Sequence, residues 1–166
     1  MSPLRLLAVG ALVFAALTGL SSAASAQEHV RGAADARLLV DLDTRLGASA
    51  SIDLWRSFGQ LQLGGVVSVG AISAGGGESS RVFAPVGLSL ALLAAPEESG
   101  PALALRGGAW LGAIKGDIHG HAWAGAAIGY RFAIGEGASL RAGADLWALF
   151  GPDSLLMLGP YVGLGW

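Results

Sequence analysis

From Arg37 to the end of the chain, apolar side chains recur at every second residue, and the positions between them are mixed in character. In Arg37 to Arg45, Leu38, Val40, Leu42 and Thr44 alternate with Arg37, Leu39, Asp41, Asp43 and Arg45. In Ala48 to Phe58, Ala50, Ile52, Leu54, Arg56 and Phe58 alternate with Ser49, Ser51, Asp53, Trp55 and Ser57. The same alternation runs through Gln60 to Ala71, Arg81 to Leu92, Ala102 to Ile114, Ala122 to Phe132, Ala138 to Phe150 and Leu155 to Trp166. A period of two is the signature of strands with two chemically different faces. Val82 to Ala95 and Pro101 to Ile114 are apolar enough to suggest membrane helices, but both fall short of the ~20 residues a spanning helix needs, and the second holds Arg106.

Turn chemistry separates the eight segments. Leu46-Gly47, Phe58-Gly59, the Ser73 to Ser80 stretch with Gly75-Gly76-Gly77, Pro96 to Pro101, Lys115 to His121, Gly135-Glu136-Gly137 and Gly151-Pro152-Asp153 supply the residues that close hairpins. An open sheet with one bare apolar face would aggregate through that face and its edges, so closure is the physical solution. The pattern predicts an all-β fold, an eight-stranded antiparallel up-and-down barrel over residues 37–166.

Which face looks outward decides the class of barrel. The mixed faces carry Arg37, Arg45, Arg81, Arg106, Arg131 and Arg141 with Asp41, Asp43, Asp53 and Asp145, and also Trp55, Trp110, Trp123 and Trp147. The other faces are nearly continuous Leu, Val and Ala, with Arg56 as the exception, near a strand end where it can snorkel. Apolar outside and polar inside is the inverted arrangement of a barrel that crosses a bilayer, and strands of about ten residues suit that span. Phe58, Tyr130, Phe132 and Trp166 fall on the apolar faces at strand ends on the side of the termini, and Phe150 at the opposite end, as two aromatic girdles would.

Composition narrows the rest. The 166 residues include no cysteine, which removes disulfides, thiol catalysis and Cys-based metal sites. Charged residues make up 13% and the net charge is −2, without a cluster of Lys or Arg, so a nucleic-acid partner is excluded. The first stretch has the form of a secretory signal peptide: Arg5, an apolar run from Leu6 to Leu20, and Ala24-Ser25-Ala26 before Gln27. The expected organisation is a signal peptide over 1–26, an N-terminal periplasmic segment over 27–36 and the barrel over 37–166.

With a signal peptide at one end and Val162, Leu164 and Trp166 alternating to a terminal aromatic at the other, the chain resembles the small, eight-stranded members of the bacterial outer-membrane β-barrel superfamily. It departs from the usual pattern in ending on Trp166 instead of Phe and in placing Tyr161 where a glycine is often found. The resemblance implies export to the outer membrane of a Gram-negative bacterium, outer-membrane lipid around the barrel, and recognition of the C-terminal strand by the barrel-assembly machinery. Small members include structural proteins, adhesion or stress-related proteins and lipid-modifying enzymes.

Candidate chemistry is sparse. If neighbouring strands pair in order, Arg106, Arg131 and Arg141 approach Asp145, Asp53, Asp41 and Asp43, with Arg37 and Arg45 on the same faces, and this lumen charge network, with the inward tryptophans, plugs the barrel. Asp117, His119 and His121 alternate before Trp123 and form a weak candidate metal set, set against the commoner reading of a solvated loop. Ser79, Ser80 and Asp153, in loops on one side, are the candidates for acyl chemistry at the rim, without a family motif. Gly75-Gly76-Gly77 lacks the Lys-Ser/Thr of a phosphate loop, and Glu97-Glu98 reads as a solvated turn. The expectation is a monomeric, non-enzymatic barrel with no cofactor and a structural or surface-interaction role. The alternatives are a lipid-modifying enzyme at the rim, or a soluble periplasmic barrel holding a small apolar ligand.

Overall fold

A computed structural model describes residues 30–73, 81–95, 98–114, 117–151 and 154–166. Eight strands follow one another: β1 (Val30–Asp41), β2 (Leu46–Phe58), β3 (Leu61–Ile72), β4 (Arg81–Leu93), β5 (Gly100–Ile114), β6 (Asp117–Ala133), β7 (Ser139–Leu149) and β8 (Leu155–Gly165). Each pairs antiparallel with its neighbours in sequence, and β1 pairs with β8, so the sheet closes on itself and leaves no edge. The lower end of the barrel is where β1 begins and β8 ends. The upper end carries the β1–β2, β3–β4, β5–β6 and β7–β8 connections.

The two faces sort as the alternation predicts. Leu38, Leu88, Ile128 and Val162 are exposed on the outer wall, while Arg37, Asp53, Arg106, Asp145 and Trp147 are buried inside. In β8 every residue from Leu155 to Gly165 alternates between buried and exposed.

Three boundaries differ from the expected ones. The first strand was expected over Arg37 to Arg45, with 27–36 outside the barrel, yet β1 starts at Val30 and stops at Asp41. It stops there because the Asp41 carboxylate accepts the N–H groups of Asp43 (3.0 Å) and Arg45 (2.8 Å), folding Leu42 to Arg45 into the turn that had been placed at Leu46-Gly47. Thr44 takes the left-handed conformation this needs, at φ 61°. The third difference is in the expected Lys115 to His121 loop, most of which is strand: β6 begins at Asp117 and pairs Gly112 with His119. The expected signal peptide over 1–26 lies outside the described residues.

Of the three prolines inside the described strands, Pro85 and Pro160 mark interruptions of the ladder. The β3–β4 register passes from Val67↔Val86 to Gly70↔Phe83 around Pro85, and the β1–β8 register from Arg37↔Tyr161 to Val40↔Leu158 around Pro160. A proline has no N–H to give the neighbouring strand, and its ring breaks the pairing locally.

The interior is layered. In the upper half Leu39, Phe83, Trp110, Trp123, Trp147, Leu149 and Met157 pack as an apolar layer. Trp123 and Trp147 lie 5.2 Å apart, and Phe83 meets Trp147 edge-on at 6.1 Å. Two indole N–H groups are satisfied by backbone, Trp110 by the Phe150 carbonyl at 3.0 Å and Trp123 by the Val86 carbonyl at 3.1 Å. Beneath this layer, at mid-height, lie the buried charges.

Candidate functional site

The charges converge because barrel closure brings together inward positions that are remote in sequence. Arg37 of β1 donates from Nε to Asp145 Oδ2 of β7 at 2.5 Å and from Nη1 to Ser51 Oγ of β2 at 2.6 Å, and its Nη2 lies 3.4 Å from Asp35 Oδ2. Arg106 of β5 donates from Nη1 to the same Asp145 oxygen at 2.7 Å and from Nη2 to Asp53 Oδ2 at 3.3 Å. Arg141 of β7 completes the cluster, with Nη1 3.6 Å from Asp35 Oδ2 and 3.7 Å from Asp53 Oδ2. Three guanidiniums face three carboxylates, so the charges balance in a space from which water is nearly excluded.

Aromatic rings hold the guanidiniums in place. Arg37 lies over Trp147 at 5.2 Å and Tyr161 at 6.0 Å, and Arg141 over Trp55 at 5.5 Å, stacking that a planar, weakly hydrated cation favours. Room for the cluster comes from glycines of β6 and β8. A Cβ at Gly163 would collide with the Asp35 carboxylate, and one at Gly129 with the Tyr161 hydroxyl.

The sequence-derived lumen residues therefore divide. Arg37, Asp53, Arg106, Arg141 and Asp145 come together. Asp41 and Asp43 had been expected to reach Arg106, Arg131 and Arg141, with Arg45 on the same faces, but the structure places these three together away from the cluster. Arg45 pairs instead with Asp41 at 2.5 Å and Asp43 at 2.9 Å across the β1–β2 turn at the upper rim, because the hairpin brings these three within reach first. Arg131 stands below the cluster, beside Trp55, Gln62, Ser139 and Tyr161. Asp35 was missed altogether. Its parity with Arg37 marks it as inward, but its neighbours Ala33, Ala34 and Ala36 show no contrast between faces.

The other candidates are dispersed. Of the girdle aromatics, Phe58, Tyr130, Phe132 and Phe150 are exposed on the outer wall, Tyr130 stacking at 4.7 Å on Phe132, while Trp166 is half-buried. Asp117 and His119 lie on β6 but their side chains are outside the described set, and His121 packs at 6.0 Å on Trp110. Among the described residues no group of three metal-ligating side chains assembles. Ser79, Ser80 and Asp153 are outside the described residues, as is Glu97, whereas Glu98 is exposed in the β4–β5 turn.

The space left inside is small. Cavities of about 20 Å³ beside Tyr161 and about 10 Å³ beside Asp53 suit single waters. An eight-stranded barrel has an interior just wide enough for its own side chains, and here they fill it. In chemical terms the cluster closes the lumen: its carboxylates are tied to guanidiniums, and it contains no hydroxyl or imidazole arranged as nucleophile and base.

Neisserial surface protein A superposes with a TM-score of 0.67 at 13% identity, covering 82% of this chain and 94% of that one. The outer membrane enzyme PagL gives 0.61 at 10% identity, covering 80% and 97%, and the N-terminal β-barrel domain of Pseudomonas aeruginosa OprF gives 0.51 at 14%, covering 82% and 97%. The chain has the fold of the small eight-stranded outer-membrane barrels. No family model and no curated protein matches the sequence.

Proposed function

We propose that this protein is a monomeric, non-enzymatic barrel of the Gram-negative outer membrane, with a closed lumen and a structural or surface-interaction role. The observation that carries the reading is the inversion of its two faces. Leu38, Leu42, Leu88, Val67 and Ile128, each 60% or more exposed, would cover a water-soluble domain in apolar surface, whereas Arg37, Asp35, Asp53, Arg106 and Asp145 are sealed inside. In water both arrangements are costly; in a bilayer the first becomes favourable, and closure pairs every strand where lipid offers no hydrogen bonds. The aromatic residues at the two rims suit the interfaces, and the lower end, where β1 begins and β8 ends, faces the periplasm in this reading. Residues 1–26 direct export, and β8 with Trp166 is the segment the assembly machinery reads.

Fractionation with carbonate and urea washes, followed by electrophoresis of unheated and boiled samples, tests this. The expected result is retention in the outer-membrane fraction and a band that shifts on boiling. A washed-off protein, or one that migrates identically in both samples, refutes it.

A further inference from the structure

Among the described strand residues, Arg56 is the one charged side chain on an outward face. It is exposed near the lower end of β2, two residues before Phe58, and its guanidinium stacks on that ring at 5.8 Å. The outward positions around it are apolar, since the register sets Arg56 beside Val30 of β1 and Leu63 of β3, and Phe58 beside Leu61. Unlike the guanidiniums of the lumen, it pairs with no carboxylate among the described residues. One outward step above, at the Gly32–Leu54 pair, the indole of Trp166 lies across the wall: a Cβ on Gly32 would meet that indole at 2.9 Å and the Leu54 side chain at 3.0 Å. The Trp166 Nε1 has no hydrogen-bond partner. The Trp166 carboxylate belongs to the ladder, where its oxygen accepts the Gly32 N–H at 3.0 Å.

We infer that this strip of the outer wall binds the phosphate of an anionic phospholipid in the lower leaflet. The inference rests on the proposed function, which puts the wall in a bilayer and its lower aromatic rim at the headgroup level. At that level a cation without a counter-charge attracts an anionic headgroup. A guanidinium suits a phosphodiester because two of its N–H groups can meet two phosphate oxygens at once. Phe58 steadies the fork, the Trp166 N–H is a further donor on the same strip, and Leu54 and Leu63, exposed above Arg56, give the acyl chains an apolar bed. A side chain that only snorkels to water would show no preference among headgroups.

Brominated lipids test this, because Trp166 is the tryptophan on the outer wall while Trp55, Trp110, Trp123 and Trp147 point inward. The protein is folded into phosphatidylcholine vesicles holding a fixed fraction of dibrominated phosphatidylglycerol or, separately, of dibrominated phosphatidylcholine. The quenching lost in Trp166→Phe is the signal of that indole. Phosphatidylglycerol is expected to quench as if its local concentration were about fivefold higher, the ratio one arginine beside an anionic headgroup gives. Arg56→Gln should bring the ratio to unity, Arg56→Lys should keep part of the preference, and Arg45→Gln at the upper turn should leave it unchanged. If Trp166→Phe fails to fold, as judged by its shift on boiling, the motionally restricted fraction of spin-labelled phosphatidylglycerol, compared between the parent and Arg56→Gln, measures the same preference. Equal quenching by the two lipids in the parent, or a preference that survives Arg56→Gln, would overturn the site and leave the barrel in its membrane. Quenching by neither lipid would overturn the membrane reading together with the site.

Discussion

Asp145→Ala is the sharpest perturbation of the lumen. One oxygen of Asp145 accepts from Arg37 at 2.5 Å and from Arg106 at 2.7 Å, and the residue has no exposed surface. Removing it leaves three guanidiniums facing two carboxylates, Asp35 and Asp53, in a site that water barely enters. Breaking one partner of a buried ion pair costs about 3–5 kcal/mol, because the remaining charge is desolvated without compensation. With a urea dependence of ~2 kcal/mol per molar, the unfolding midpoint should fall by roughly 1.5–2.5 M. Asp145→Asn, which keeps an acceptor and loses the charge, should fall between. The control is Asp43→Ala at the upper turn, whose partner Arg45 also holds Asp41 and whose own side chain is 75% exposed, where an exposed pair contributes about 0–1 kcal/mol. The double variant Arg37→Met with Asp145→Leu removes one charge of each sign and leaves two of each, so it should lose clearly less than the sum of its single changes. Reversible urea unfolding in detergent, followed by tryptophan fluorescence, measures all of these. If Asp145→Ala stays within about 1 kcal/mol of the parent, or Asp43→Ala costs as much, the charges do not depend on one another and the reasoning fails.

Three further outcomes are expected. Leu88→Arg, on the outer wall of β4 at 76% exposure, should cost about 2–4 kcal/mol of stability in lipid vesicles while Glu98→Arg in the β4–β5 turn costs little; equal tolerance of the two would place the outer wall in water. The protein should pass no steady current in planar bilayers, since the apolar layer and the charge cluster fill successive levels of the lumen; a stable open channel in the unmutated chain would contradict that filling. Gly163→Ala should destabilise by about 1–3 kcal/mol by displacing Asp35, whereas Ala36→Gly on the outer face of β1 should cost less, and denaturant midpoints for the pair would expose any reversal.

Much of this molecule is written in its alternation. A strand's side chains point to opposite faces with a period of two, so the inward and outward sets follow from the sequence even where a strand's ends are misplaced: starting β1 at Val30 instead of Arg37 leaves Arg37, Leu39 and Asp41 on the same face. The number of strands and the need for closure follow too, because an apolar face repeated through eight strands has to be covered and its edges paired. The ends of strands were less legible. Where β1 stops depends on a carboxylate bonding backbone groups two and four residues ahead, which outweighs the strand-like pattern of Leu42 and Thr44. The partners of the buried charges were decided only by the tertiary structure. Arg37 and Asp145 are 108 residues apart and meet across the lumen, at a level set by the accumulated register of every hairpin between them and by the β1–β8 closure. Asp41 could as well have been their partner by parity alone. A hairpin of four residues brought Arg45 to Asp41 first, because nearby groups pay less entropy to meet than distant ones, and so Asp35, invisible among its alanines, stands in the lumen instead.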